Sequence, residues 1–445
     1  MAEILPFRGF RYNPKHVDNF DLVTSPPYDV IGPDLQDDLY RRSPHNVVRV
    51  DFGKAQPGDD DGENKYSRAA RALESWLSEG ILIQDREESI YYLEEDYQGE
   101  FGDIRTRKGF VARVRLEDPE SGLYRPHEKT LAGPKADRLK LTKACKTNLS
   151  PIFSLYDDPT HIVQRDLELL PLAERPLMTV TADDGVVSRL WRVSAPELIR
   201  GVAATMHLKS FFIADGHHRY ETSLNYRDLM RRETPGYTGK EPWNYVMMYF
   251  ANLWAPGLTV FPTHRVVHGV PGLDLTRFLE EAQEYFEITE VQGGVEELLQ
   301  ALQAARADKH CFGLTAKGDP RLWLLELRSE GVMTRLLAGR APKVLRTLDV
   351  TVLHSLILEE LLGIDEKAQE AQKNLRYVKG SRELLRVVAE EEAQLGFLLN
   401  PTKVEEVKAV AEQGERMPQK STFFYPKLLT GLVFNPLFDT GAPEE

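Results

Sequence analysis

The stretch Phe211-Phe212-Ile213-Ala214-Asp215-Gly216-His217-His218-Arg219-Tyr220-Glu221-Thr222 decides how the chain is read. An apolar, β-prone run stops at Asp215-Gly216, and two histidines and an arginine follow at once. From Arg219 towards Met230 the pattern becomes helical. A strand that breaks at a small residue and opens into a helix places backbone N–H groups and a positive dipole end at the turn, which suits an anion. Imidazoles and a guanidinium in the same turn add donors for phosphate oxygens and, from histidine, a proton carrier. The plainer readings are a metal pair or a capped surface turn. Adjacent histidines on a helix cannot both face one ion, unlike an i, i+4 pair. Phosphate binding is the favoured reading.

Working outward on the N-terminal side, Pro26 and Pro27 stiffen residues 24–31 into an expected extended segment. Gly32-Pro33-Asp34 opens a helix to about Arg42, and Asn46 to Phe52 is expected as a strand. The loop at Asp59-Asp60-Asp61-Gly62 lacks the EF-hand register and reads as solvated. Apolar spacing at Ala69, Leu73, Trp76 and Leu77 predicts a helix over 66–79, and alternation over 90–95 and 108–116 predicts a strand pair. A basic helix start at 137–143, a strand ending at Tyr156, strands near 178–181 and 188–193, and a helix over 195–206 follow.

On the C-terminal side, 244–253 reads as a buried strand and 257–267 as another, ending in His264-Arg265. Helices are expected over 278–286, 295–305, 353–362 and 404–413, with strands at 312–316, 322–327 and 396–399. No internal repeat is evident, and only the tail after Phe438 looks loose.

The 445 residues carry 56 Lys+Arg against 69 Asp+Glu, a net charge of -13. That balance argues against general nucleic-acid binding, which needs a phosphate-neutralising basic surface. A local basic pocket for a small phosphorylated ligand is compatible with it. The two cysteines, Cys145 and Cys311, form no zinc or disulfide pattern. The N-terminus has no signal-peptide core, and no apolar run approaches the ~20 residues that span a bilayer. A cytoplasmic protein without membrane contact is expected, and a homodimer is left open.

Three further clusters carry polar chemistry. His127-Glu128, with Lys129, Thr130 and Arg138 nearby, contains a candidate general base, although a surface loop holds such a pair by chance as readily. Thr263-His264-Arg265 closes a strand, where a solvated loop is the ordinary explanation. Met417 to Lys427 mixes lysines, hydroxyls and aromatics. Within it, Lys420, Ser421 and Thr422 have phosphate-binding groups but no Walker glycine cradle. An edge strand blocked by prolines is the bland alternative. No GxSxG elbow, protein-kinase signature or GxGxxG turn is present.

These motifs occur together in order: Pro6-Phe7-Arg8-Gly9, Pro26-Pro27-Tyr28-Asp29-Val30-Ile31, Pro126-His127-Glu128-Lys129-Thr130, Ser150-Pro151-Ile152-Phe153, the 214–222 turn, Pro262-Thr263-His264-Arg265 and 417–427. Over nearly the whole chain they resemble the family called domain of unknown function 1015. The Asp-Gly-His-His-Arg turn is also similar, over about ten residues, to that of ParB-like free serine kinases and, more loosely, to the sulfiredoxin turn. That resemblance implies that Gly216, His217, His218 and Arg219 hold nucleotide phosphates, with His217 close to the chemistry, and that Asp215 helps with Mg²⁺ or the acceptor. It implies an α+β (mixed α/β) fold, with a ParB/sulfiredoxin-like core at 121–275 flanked by segments 1–120 and 276–445.

The resulting expectation is a phosphotransferase that moves a phosphoryl group from ATP or ADP, with Mg²⁺, to a small hydroxylated metabolite, free L-serine first. Glu128 is the expected base and Asp215 its substitute. Lys420, Ser421 and Thr422 would add phosphate contacts, and Tyr28, Asp29, His127, His264 and Arg265 substrate contacts. A nucleotide-binding regulatory switch of ParB-like type and a phosphatase using the same pocket are the alternatives.

Overall fold

The computed structural model describes residues 2–99, 102–118, 121–122, 124–125, 132–307, 309–390, 392–418 and 420–441. His127 and Glu128 therefore lie outside the described residues. The chain forms a mixed α/β fold with several sheets, as the sequence implies. It divides into two compact units. The first takes the chain through Leu258 together with Pro426 onward, and the second takes Thr259 to Tyr425.

The first unit is built on a mixed sheet. Its strand order is Tyr124–Arg125, Phe211–Asp215, Ile152–Tyr156, Tyr245–Asn252, Ile104–Arg115, Ile90–Gln98, Val187–Val193 and Met178–Thr181, with Ile4–Leu5 pairing on Ile104–Arg115. Tyr245–Asn252 runs parallel to Ile152–Tyr156 and antiparallel to Ile104–Arg115. All eight of its residues are buried, the mark of a strand covered on both faces. Val246, Met248 and Phe250 share one core with Ile199, Val202 and Met206 of the helix Pro196–His207. Alternation sends every second side chain there.

The second unit is an antiparallel sheet in the order Phe286–Val291, Asp319–Leu327, Cys311–Ala316, Leu395–Leu399, Thr263–Val267 and Leu375–Lys379. Its strands feed two cores. Phe312, Leu314, Leu325 and Val267 pack with Phe278 and with Leu353, Leu356 and Ile357 of a π-wound helix, Leu353–Leu361. Leu322, Leu324, Val266 and Leu398 face the other way, against Leu298 and Leu302 of the helix Val295–Ala305 and Leu384 and Val387 of the helix Ser381–Glu390.

Most of the elements read from the pattern form, and four differ. Residues 46–52 are not a strand: Val48–Asp51 is a helical turn. The Asn46 side chain accepts from the Val48 N–H at 3.0 Å and donates to the carbonyls of Leu22 and Thr24, so a local cap overrides β-branched propensity. The 257–267 strand is two strands split at Pro262. Thr259–Phe261 pairs with Phe423–Tyr425, and Thr263–Val267 enters the six-stranded sheet. The amphipathic stretch 278–286 is helical as Leu275–Ala282, and Phe286 already begins a strand. Extended backbone over 24–31 gives way at Tyr28–Val30 to one 3₁₀ turn. Cys145 and Cys311 are buried free thiols. No helix among the described residues is long and apolar enough to cross a membrane.

Candidate phosphate-binding site

The turn that opens the sequence reading sits at the end of Phe211–Asp215. Opposite it, the register with Ile152–Tyr156 shifts between Ile213 and Asp215, a bulge that re-aims the side chains next to it. Gly216 then takes φ +94, and the helix His217–Glu233 begins. A glycine is required here twice over. The left-handed backbone disfavours any side chain, and a Cβ would lie 2.9 Å from Nε and Nη2 of Arg219. The helix starts with no side-chain cap and no acidic residue in its first turn, and the nearest carboxylate is that of Asp215, just before the glycine.

Asp215 organises the cations. Arg219 Nη2, in the first turn of the helix, donates to its Oδ2 at 2.8 Å, and Lys427 Nζ donates to its Oδ1. Burial alone would raise this carboxyl, but Lys427 and Arg219 outweigh it and hold it well below the usual carboxylate range. Arg219 Nη1 donates onward to Ser150 Oγ at 3.1 Å and to the Pro151 carbonyl, fixing the guanidinium against the 150–153 motif. His217 is buried and His218 half-buried.

Beside the turn lies a second charged cluster of the same unit. Arg138 Nη1 donates to Asp51 Oδ1 at 3.1 Å and to the Asp51 carbonyl at 2.8 Å, and the guanidinium covers the Tyr28 ring at 4.1 Å. Burial raises the Asp51 carboxyl despite the opposing charges of Arg138 and Arg219. It also raises the Tyr28 hydroxyl, against the same two guanidiniums. Asp29 is exposed at the 3₁₀ turn. For Asp137, desolvation works upward, but Arg138, Lys65 and Tyr66 prevail and bring it to about 2. A cavity of about 40 Å³ between the clusters is lined by Asp51, Arg138, Ser150 and Arg219.

His264, Arg265, Lys420, Ser421 and Thr422 belong to the second unit. His264 is fully buried, accepts at Nδ1 from the Leu399 N–H at 3.2 Å, and is pushed by burial down to about 3. Arg265 donates through Nη2 to the Lys420 carbonyl at 3.1 Å. Ser421 is buried, and its carbonyl accepts from Thr402 at 2.7 Å. Lys420 is exposed in a left-handed conformation, φ +55. Sequence reading singled out neither Asp51, hidden in an expected strand, nor Lys427. Lys427 ends the 417–427 motif, so the signal was present there.

A family model described as "Protein of unknown function (DUF1015)" matches residues 4–351. The chain belongs to the DUF1015 family. Among proteins with curated descriptions, none matches it. Solved structures similar to this DUF1015 chain include a conserved hypothetical protein from Pyrococcus furiosus, at 12% identity over 72% of this chain and 91% of that one, TM-score 0.33. A free serine kinase in complex with AMP is similar at 13% identity over 72% and 88%, TM-score 0.34. SbnI with C-terminal truncation from Staphylococcus aureus is similar at 12% identity over 73% and 82%, TM-score 0.32.

Proposed function

We propose that the 215–219 turn of this DUF1015 protein binds the phosphates of ATP or ADP. The protein would then transfer a phosphoryl group to the hydroxyl of a small metabolite, free L-serine first. The observation that carries this reading is the junction itself: an uncapped helix N-terminus after a left-handed glycine, with Arg219 and Lys427 gathered on Asp215. Phosphoryl transfer needs positioning and charge neutralisation above all. The bond from phosphorus to the nucleotide's bridging oxygen breaks, a bond to the acceptor oxygen forms, and the hydroxyl proton passes to a carboxylate.

In this reading Gly216, His217, His218 and Arg219 hold phosphate oxygens, and Tyr28, Asp29 and His127 line the acceptor. Glu128 takes the proton. Asp215 is poorly suited to that step, because cations occupy both its oxygens, and its role is to orient Arg219 and Lys427. The same occupation makes it a poor Mg²⁺ ligand. No group of three or more His, Cys, Asp or Glu among the described residues is arranged to hold a metal ion. Mg²⁺ is accordingly assigned to the nucleotide's own phosphates.

The test is direct. Purified protein is incubated with ATP or ADP, Mg²⁺ and L-serine, and phosphoserine is followed by ³¹P NMR. The expected result is product with one donor and a loss of at least tenfold in Arg219→Ala, in nucleotide affinity as well as rate. No product with either donor, together with equal nucleotide affinity in the wild type and Arg219→Ala, overturns the reading.

A further inference from the structure

We propose that Asp51 and Thr222 recognise the ammonium group of the phosphoryl acceptor, so that the acceptor is a hydroxy amino acid. This rests on the phosphotransfer reading for there being an acceptor, and it names the residues that select its class. Asp51 ends the helical turn Val48–Asp51, Thr222 lies in the helix His217–Glu233, and both line the cavity of about 40 Å³ beside Arg219. All of them belong to the first unit. Asp51 is 3% exposed and Thr222 2%, yet Asp51 Oδ2 and Thr222 Oγ1 have no hydrogen-bond partner among the described residues. Buried polar atoms are normally bonded, and one left open is unfavourable until something arrives to bond it. Two such atoms on one cavity point to a ligand group that donates.

The other polar groups on the cavity are engaged. Arg138 donates to Asp51 Oδ1 and, through Nε and Nη2, to Asp137 Oδ2 at 3.0 and 2.7 Å. Arg219 is divided between Asp215, Ser150 and the Pro151 carbonyl. The hydroxyls of Thr142, Thr147 and Ser223 donate to the carbonyls of Arg138, Cys145 and Arg219, each at 2.9 Å. What the cavity still offers is acceptor capacity. A carboxylate oxygen can only accept, and a threonine hydroxyl can accept as well. A further anion is therefore disfavoured there, and a donor is favoured.

Charge and size select the donor. Burial outweighs Arg138 and Arg219 and raises the Asp51 carboxyl, so its negative form is under-compensated where it stands. An ammonium brings three N–H donors and a full opposite charge, whereas a hydroxyl brings one donor and no charge. A buried water needs about 10–15 Å³, so this cavity has room for about three waters, or for an ammonium and the carbon that bears it. The hydroxyl and carboxylate of the acceptor then extend from the cavity towards Arg219, which lines it.

The experiment titrates the full chain, in the presence of ADP, with L-serine and with 3-hydroxypropionate, which is serine without its amino group. A site built to bond a polar group rejects the analogue that lacks it, so L-serine should bind saturably and at least tenfold more tightly. Asp51→Asn should weaken L-serine at least tenfold and 3-hydroxypropionate by less than threefold, so that discrimination is what is lost. Thr222→Val keeps the side chain's shape, should weaken L-serine at least threefold, and stays informative if Asp51→Asn does not fold. ADP affinity should remain within threefold of wild type in both. The proposal is overturned if L-serine does not bind, if 3-hydroxypropionate binds as tightly, or if the folded variants keep the wild-type preference, the cavity then holding water only. Asp51-dependent serine binding without phosphoserine counts against the phosphotransfer reading alone. Phosphoserine formed with an unchanged preference in both variants counts against this inference alone.

Discussion

Lys427 reaches back across 212 positions of the chain to donate to the carboxylate of Asp215, whose other oxygen is held by Arg219. Both side chains of the long-range pair are 19% exposed, so solvent screens it only in part. Replacing Lys427 by Met removes one of two cations from a largely buried carboxylate. A loss of about 1–3 kcal/mol is expected, the range for leaving a buried polar group short of a partner. The Asp215 carboxyl should also move up towards its ordinary range. Urea unfolding at neutral pH checks the first, and carboxyl-resolved NMR titration checks the second.

Gly216→Ala tests the junction in another way. A side chain at φ +94 costs about 1–2 kcal/mol for the left-handed backbone alone. The added Cβ also forces the Arg219 guanidinium off its seat under the glycine. Nucleotide affinity should therefore fall by more than the stability loss accounts for. If calorimetry finds affinity intact in a folded Gly216→Ala protein, Arg219 does not contact phosphate.

Inside the first unit, Arg107 and Glu95 form an ion pair with no side-chain exposure, Nε to Oε2 at 2.7 Å. The guanidinium also lies 4.6 Å from the Phe153 ring centroid. Breaking such a pair from one side strands a buried charge and typically costs about 3–5 kcal/mol, whereas removing both charges is far cheaper. Glu95→Leu should lower the urea midpoint sharply, and Glu95→Leu with Arg107→Met should recover most of the loss. A double-mutant cycle reads the difference.

The second unit should lose stability steeply below neutral pH. His264 and His354 are held by burial at about 3, against 6.5 for a free imidazole. Between those values the unfolded chain binds protons that the native unit refuses. Their stabilising contribution is complete above the unfolded pKa and is lost as pH falls towards the folded one. Each histidine adds a slope of about 1.4 kcal/mol per pH unit in that window. Unfolding free energies measured between pH 7 and pH 5 should show it, and His354→Gln should flatten the slope by about one histidine's share.

Periodicity made the 245–252 strand, the 65–78 helix and the strand-to-helix junction at 215–217 legible, because each rests on burial along one continuous stretch. Residues 46–52 defeated it. Three valines and a phenylalanine there look like a strand until Asn46 finds the Leu22 and Thr24 carbonyls, partners more than twenty positions away. Pro262 was visible, but only the return of Phe423–Tyr425 explains why the chain changes sheets there. Within the site, the Asp215–Arg219 contact joins the end of the strand to the first turn of the next helix, four positions on. The roles of Lys427 and Asp51 depend on which distant segments come home, which local pattern does not encode.

That homecoming has a consequence for how the protein is made. The segment after Pro426 bonds Thr430 to Ser25, Phe434 to Phe10 and Asn435 to Asn148, besides seating Lys427 on Asp215. A ribosome emits the whole second unit before it emits these partners. At about 5–20 residues per second, the half-finished first unit waits many seconds with an open sheet edge and one cation missing from its turn. A chain terminated anywhere in the second unit keeps the Arg219 contact of Asp215 and lacks the Lys427 one.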